Sequence, residues 1–305
     1  MTIRLHAGLF TAAIAATAIT FSAASAPQTD WSAVANALGK SGMEMPGNVY
    51  RICLPRTDLK VSVDNVELKP AFALGSWVAF MPMGQEAMAM GDLVLAEDEI
   101  APVMKKLTES GLQITALHHH VLRALPATFY MHVSGRGEAV DLARKIHDAL
   151  VLSKTPLGTS PAQSQQEQLS FDTGAIDRAL GTQGQMAGGV YQLSIPQKDP
   201  IHEHGMVIPP PMGVAEGINF QPTGQGKAAI TGDFVLTADE VTPVMRALQD
   251  NGIEVTALHN HMLDEEPRLF FMHFWANDDV DKLTKGLRAA LDKIDVVQVA
   301  VNSRK

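Results

Sequence analysis

The sequence predicts an α+β protein made of two tandem ferredoxin-like (βαββαβ) repeats, each with antiparallel strands and extra strands on its N-terminal side. Three observations carry this. Residues 91–132 align without gaps to residues 232–273 at a constant offset of 141, and 21 of those 42 positions are identical. Inside each copy the apolar pattern alternates between period 2 and period 3.6, in the order strand, helix, strand, strand, helix, strand. Between the copies lies SKTPLGTSPAQSQQEQLS, residues 153–170, polar and rich in Ser, Gln and Pro as a linker should be. The first repeat domain is therefore placed at residues 27–152 and the second at 171–305.

Residues 1–26 read as a signal peptide. Arg4 gives a basic start, residues 7–24 are apolar and small, and Ala24-Ser25-Ala26 forms an A-x-A cleavage box. The alternative is an uncleaved anchor, since residues 7–24 just allow a span. Weak Ala/Ser hydrophobicity and the small-residue box favour cleavage. The expectation is an exported protein, periplasmic or extracellular, with no stable membrane anchor after cleavage. Net charge is -9, without a basic-aromatic stripe, so nucleic acid is not an expected partner.

Upstream of each unit, VYRICLP (49–55) matches VYQLSIP (190–196) and reads as a strand. Cys53, the single cysteine, excludes an intrachain disulfide and is expected to be a buried structural thiol. Residues 45–83 and 186–222 are expected to hold short strands and loops. In copy two, 227–236 is a strand. A helix follows over 237–252, with an apolar stripe at Val241, Val244, Met245 and Leu248. Thr237 and Glu240 suggest a capping box, and Gly252 a C-terminal cap. Strands at 253–263 and 268–276 flank the DEEP turn. A second helix (278–293) and a last strand (294–301) complete the unit. Copy one repeats this from about residue 87, with Glu99 in the capping role.

TALHHH…MH (115–132) and TALHNH…MH (256–273) repeat three histidines at fixed spacing. The middle one is not repeated, because Asn260 stands where copy one has His119. In a strand, His118 and His120 share a face, as do His259 and His261. They are expected to extend the apolar row of Leu112, Ile114 and Ala116, or of Ile253, Val255 and Ala257. If His118 faces Tyr130 across the hairpin, His132 joins that face. Three imidazoles then converge, as in a zinc site with an open fourth position. An odd register would separate them. The alternatives are a hydrogen-bonded structural cluster and a metal-free polar ligand pocket.

DPIHEHG (199–205) offers His202, Glu203 and His204, with no histidine at the matching place in copy one. This segment is either an addition to the second site or a solvated loop. Candidate metal ligands are thus His259, His261, His273, His204, His202, His118, His120 and His132. Candidate general bases are Glu203, Glu265 and Glu266. Asp92 and Asp233 could orient a histidine, although turn formation after Gly91 and Gly232 is the simpler account. Met81, Met83, Met88 and Met90 form two M-x-M pairs, suggestive of copper but ordinary as core filler. There is no nucleophile elbow, P-loop, dinucleotide fingerprint or H-E-x-x-H, and no signal for a nucleotide or organic cofactor.

The repeated GD-[LF]-VL, PVM, TALH-x-H and MH blocks, with EHGMVIPPPMGVAEGINFQP and LFFMHFWANDD, resemble the LppY/LpqO family of exported bacterial proteins, over nearly the whole chain after residue 26. The resemblance implies export and leaves the activity open. Founding members carry a lipid-attachment cysteine that this chain lacks. Together the residues point to a zinc-like (alternatively copper) binding protein, with its halves expected to pack as a pseudo-dimer with facing sheets. Metal-assisted hydrolysis or hydration is the catalytic version; a non-catalytic small-ligand module is the alternative.

Overall fold

The computed structural model describes residues 29–158 and 170–297. The expected signal peptide and most of the expected linker lie outside the described residues. The first half runs α1 (Trp31–Leu38), β1 (Met43–Met45), β2 (Val49–Pro55), β3 (Ser62–Val63), β4 (Val66–Glu67), α2 (Pro70–Ala73), β5 (Gly75–Met83), β6 (Glu86–Ala96), α3 (Glu97–Glu109), β7 (Gln113–His118), β8 (Thr128–Gly137) and α4 (Ala139–Leu150). The second half runs α5 (Thr173–Leu180), β9 (Gln185–Ala187), β10 (Val190–Pro196), β11 (Ile201–Glu203), β12 (Met206–Ile208), β13 (Ala215–Gly224), β14 (Lys227–Leu236), α6 (Ala238–Asp250), β15 (Glu254–His259), β16 (Phe270–Asp279) and α7 (Val280–Leu291).

Each half builds a six-stranded antiparallel sheet, ordered β1-β2-β5-β6-β8-β7 and, equivalently, β9-β10-β13-β14-β16-β15. Two repeats of one ferredoxin-like design result. The long strands β5 and β13 come from segments expected to hold only short strands and loops. Each hairpins onto the first strand of its βαββα run and flanks it. The strand expected over 294–301 is described only to residue 297, where Val296 bridges Gln197 beside β10.

The capping expected of Glu240 is formed, with the Thr237 amide donating to its carboxylate at 2.7 Å, and Gly252 adopts φ 74° after the helix. Three helices, α1, α2 and α5, went unread in the sequence. In α1 the Asp30 carboxylate accepts from the Ser32 and Ala33 amides, and Gly39 closes the helix in the left-handed region.

One face of each sheet packs on its own helices. Ile52, Leu54, Val78 and Phe80 meet Val103, Leu107 and Ile146 in the first half, and Leu193, Ile218 and Phe220 meet Val244, Leu248 and Leu287 in the second. The opposite faces pack on each other. Met88 and Met90 share a cluster with Val235 and Phe271, and Val94 and Tyr130 share another with Ala229 and Trp275. The result is four layers, helices outside and facing sheets inside. Met81, Met88 and Met90 are buried in this inter-sheet packing and Met83 lies partly buried against it.

Candidate functional site

The register of the hairpins decides where the histidines go. His118 pairs opposite Tyr130 and His259 opposite Phe271, so each triad falls on the inter-sheet face. The face was reached differently from the sequence expectation. A bulge interrupts β7 between Ile114 and Ala116, and β15 between Val255 and Ala257. The extra residues, Thr115 and Thr256, reverse the alternation. Leu112, Ile114, Ile253 and Val255 therefore pack against the outer helices, while Ala116, His118, Ala257 and His259 face the other sheet.

Asp92 and Asp233 are mid-strand residues, not turn formers. A cross-strand row runs Ala116, His132, Asp92, Trp77, Cys53 in the first sheet. Its equivalent runs Ala257, His273, Asp233, Gly217, Ser194 in the second. Gly91 and Gly232 serve close strand approach. A Cβ at Gly91 would sit 2.9 Å from the Trp77 carbonyl oxygen, and one at Gly232 2.1 Å from that of Gly217. Cys53 is exposed, contrary to the buried thiol expected, because β1 ends opposite Arg51 and leaves β2 uncovered beyond it.

The two triads meet. The His118 and His259 rings stack with centroids 3.5 Å apart, His132 lies 3.9 Å from His261, and His120 lies 3.8 Å from His273. Two ligand groups adjoin, His118–His120–His132 and Asp233–His259–His261–His273, each with its donor atoms within 4.8 Å of one another. Asp92 extends the first, 3.4 Å from His120 Nε2.

Backbone carbonyls set the tautomers. Nδ1 of His118, His259, His261 and His273 lies 3.1, 3.1, 3.2 and 2.8 Å from the carbonyls of His119, Asn260, Gly213 and Gly232. A carbonyl only accepts, so each Nδ1 carries the proton and each Nε2 presents a lone pair. Burial, the largest influence on each of the six imidazoles, disfavours their cationic form, bringing His259 down to about 3. Burial also pushes the Asp233 carboxyl up to about 6.

The Nε2 atoms converge, with His132 free to donate to His118 because no carbonyl fixes its tautomer. His118 Nε2 and His132 Nε2 are 3.0 Å apart, and His261 Nε2 is 3.2 Å from Asp233 Oδ2. Nε2 of His120, His259, His261 and His273, with Oδ1 of Asp92 and Asp233, are buried without a hydrogen-bond partner. Six such atoms at roughly 1–3 kcal/mol each would rival the whole stability of a typical domain, about 5–15 kcal/mol. A water can donate to two of these atoms, whereas a cation satisfies a ligand set at once. The residues fit a metal ion.

The H-E-H segment lies elsewhere. His202 and Glu203 sit in the β11–β12 hairpin, and His204 lies at φ 50° in its turn. His202 exchanges backbone hydrogen bonds with Glu266. Glu203 is buried, pushed up by burial and by the neighbouring Glu265 and Asp264 carboxylates. Glu265 is buried against Arg268 and the Leu269 amide. None of His202, Glu203, His204, Glu265 and Glu266 joins the ligand groups or lines the adjoining cavity.

That cavity, about 260 Å³, is bounded by Asp92, His120, Asp233, His261 and His273 on the histidine side and by residues of β2, β5, β10 and β13 opposite. Asp233 keeps about a fifth of its side-chain surface open, 21%.

A family model described as Domain of Unknown Function (DUF1259) matches residues 32–152 and again 174–293. No curated protein matches the chain. Among solved structures, similarity is found to the trimeric bacterial microcompartment shell protein PduB, at 10% identity and TM-score 0.27 over 87% of this chain and 99% of that one. EtuB from Clostridium kluyveri is similar at 7% identity and TM-score 0.19, over 82% of this chain and 87% of that one. Likeness at this level carries no functional argument.

Proposed function

The chain belongs to the family described as Domain of Unknown Function (DUF1259), in two tandem copies, and from its own residues we propose that it is a transition-metal-binding protein, zinc-like in its ligands, whose centre is assembled from both copies. The observation that carries this is the convergence of carbonyl-anchored imidazoles on buried, partnerless Nε2 atoms. His259, His261 and His273 with Asp233 form one set, and His118, His120 and His132 with Asp92 the other. Neutral imidazole suits zinc first and copper second. Backbone carbonyls on Nδ1 hold four of the six rings, His118, His259, His261 and His273, in the ligating tautomer, as is usual at metal sites.

Metal-assisted hydrolysis or hydration is the chemistry this centre would support, the ion supplying an activated water beside the cavity. The carboxylates lining the cavity, and so placed to serve such chemistry, would be Asp92 and Asp233 rather than Glu203, Glu265 or Glu266. A non-catalytic ligand-binding module is the second reading, favoured by the small cavity itself. The A-x-A-ended leader and the LppY/LpqO-like blocks add export to the proposal.

The test is elemental analysis of untagged protein made with its own leader, beside the His259→Ala/His261→Ala variant. Near-stoichiometric metal that the variant loses is expected. Metal-free protein that also takes up neither zinc nor copper on dialysis would overturn the reading.

A further inference from the structure

The two copies differ where the cavity lies. The first row places Trp77 beside Asp92, and the second places Gly217 beside Asp233. A Cβ on Gly217 would meet nothing closer than the Asp233 amide at 4.0 Å, so the space a side chain would take is open. At this point of the cavity wall, glycine in copy two stands where copy one has tryptophan. Its wall away from the histidines carries Arg51, Ser194, Asn219 and Thr231. It is at the small end of ligand pockets, which span roughly 300–1,000 Å³.

Arg51 is the unusual member of that wall. Its guanidinium stacks 3.9 Å over Trp77 and donates through Nη1 to the Pro211 carbonyl. Among the described residues, no carboxylate lies within ion-pairing distance of it. Copy two has Gln192 at this position, turned away to the Ala71 carbonyl at 2.7 Å. This half-buried arginine lines the cavity, clamped by a ring and a carbonyl, with Cys53 beside it and the Asp92 carboxylate, beyond ion-pairing distance, favouring its charge. Its fork matches a carboxylate or phosphate.

We propose that this cavity binds a small anionic substrate, its oxyanion on Arg51 and its other end against the Asp233–His261–His273 side of the centre. The inference rests on the metal reading, because Asp92 and Asp233 line the same cavity and would repel an anion unless cations offset them. The carboxylate and phosphoryl sources share the oxyanion, and the size limits the ligand to a small molecule rather than a polymer.

The test is calorimetric titration of the whole chain, zinc-loaded, with inorganic phosphate and separately with acetate, at constant ionic strength, with zinc content measured in every sample. Saturable binding of at least one is expected, weakened about tenfold or more by Arg51→Gln, partly restored by Arg51→Lys, and abolished by Gly217→Leu. Phosphate or acetate binding tightest identifies the source. Binding of neither, or equal affinity in Arg51→Gln, overturns the proposal while leaving a zinc-replete centre standing. A chain that takes up no zinc overturns the metal reading and, with it, this proposal, and the zinc content of each sample tells that failure from loss of the anion site alone.

Discussion

Thr115 and His261 belong to different copies, yet the Thr115 hydroxyl donates to the His261 carbonyl at 2.6 Å. Thr256 makes the equivalent bond to the His120 carbonyl at 2.5 Å. The bulge residue that turns one copy's histidines inward also fixes the histidine segment of the other.

Removing either hydroxyl should therefore loosen the centre across the interface. Thr115→Val is expected to cost about 1–3 kcal/mol, since the His261 carbonyl loses its buried donor. Urea unfolding measures this. The same variant should weaken zinc retention against a chelator; unchanged retention would show that the bond supports only the fold.

The stacking of His118 on His259 joins the two histidine groups, so the proposed metal centre would be shared rather than two independent ones. Loss of zinc affinity in His118→Ala and His259→Ala should then be strongly non-additive, the double variant behaving much like the worse single one. Competition with a chelating dye gives the three affinities. Strict additivity would indicate that each triad works alone.

Burial of neutral imidazoles sets a pH response in the metal-stripped protein. Folded-state values lie below the ordinary 6.5, so below that pH the unfolded chain binds more protons. Stability is fully present above about 6.5 and falls as pH drops toward 3, the value to which His259 is brought. Asp233, raised from 3.8 to about 6, opposes this, losing stability as pH rises between those values. Glu203 and Glu216, also pushed up by burial, oppose it in the same sense, but the six histidines outnumber these three carboxyls, so net destabilisation by acid is expected. Thermal unfolding from pH 8 to pH 4, with and without zinc, should show zinc protection vanishing in acid as the imidazoles protonate.

Arg56 tests whether stability and site are separable. Its guanidinium is fully buried, bonded to Glu99 at 2.7 Å and to the Val94 carbonyl at 2.6 Å. Copy two places Gln197 there, paired with Glu216 and the Val235 carbonyl. Arg56→Ala leaves the buried Glu99 carboxylate without its counter-ion, held only by the Ala96 and Lys154 amides, and should cost about 3 kcal/mol in denaturant unfolding. Zinc content per folded chain should not change.

Much of this was legible in the sequence. The 141-residue repeat fixed equivalent elements, and the spacing of His118, His120 and His132 marked the ligand group that the Tyr130 register then assembled. The bulge at Thr115 was not legible, since T-A-L-H reads as uninterrupted alternation; the extra residue is held by a bond to the other copy. Asp92 and Asp233 were misread because Gly-Asp is ordinarily a turn signal. Here the glycine lets neighbouring strands approach, and the aspartate stays in the row beside His132 or His273. The union of both triads depends on packing between halves, which no local pattern encodes.

The exchange of Trp77 for Gly217 has a consequence for what duplication made available. A one-copy relative that dimerised about an axis between the His118-type rings could build the same cluster, but both entrances would have to be alike. Covalent linkage lets one flank keep a tryptophan wall with its arginine while the other is hollowed out. A bound molecule then has a front and a back, and a centre made of matched halves can face its ligand from one direction.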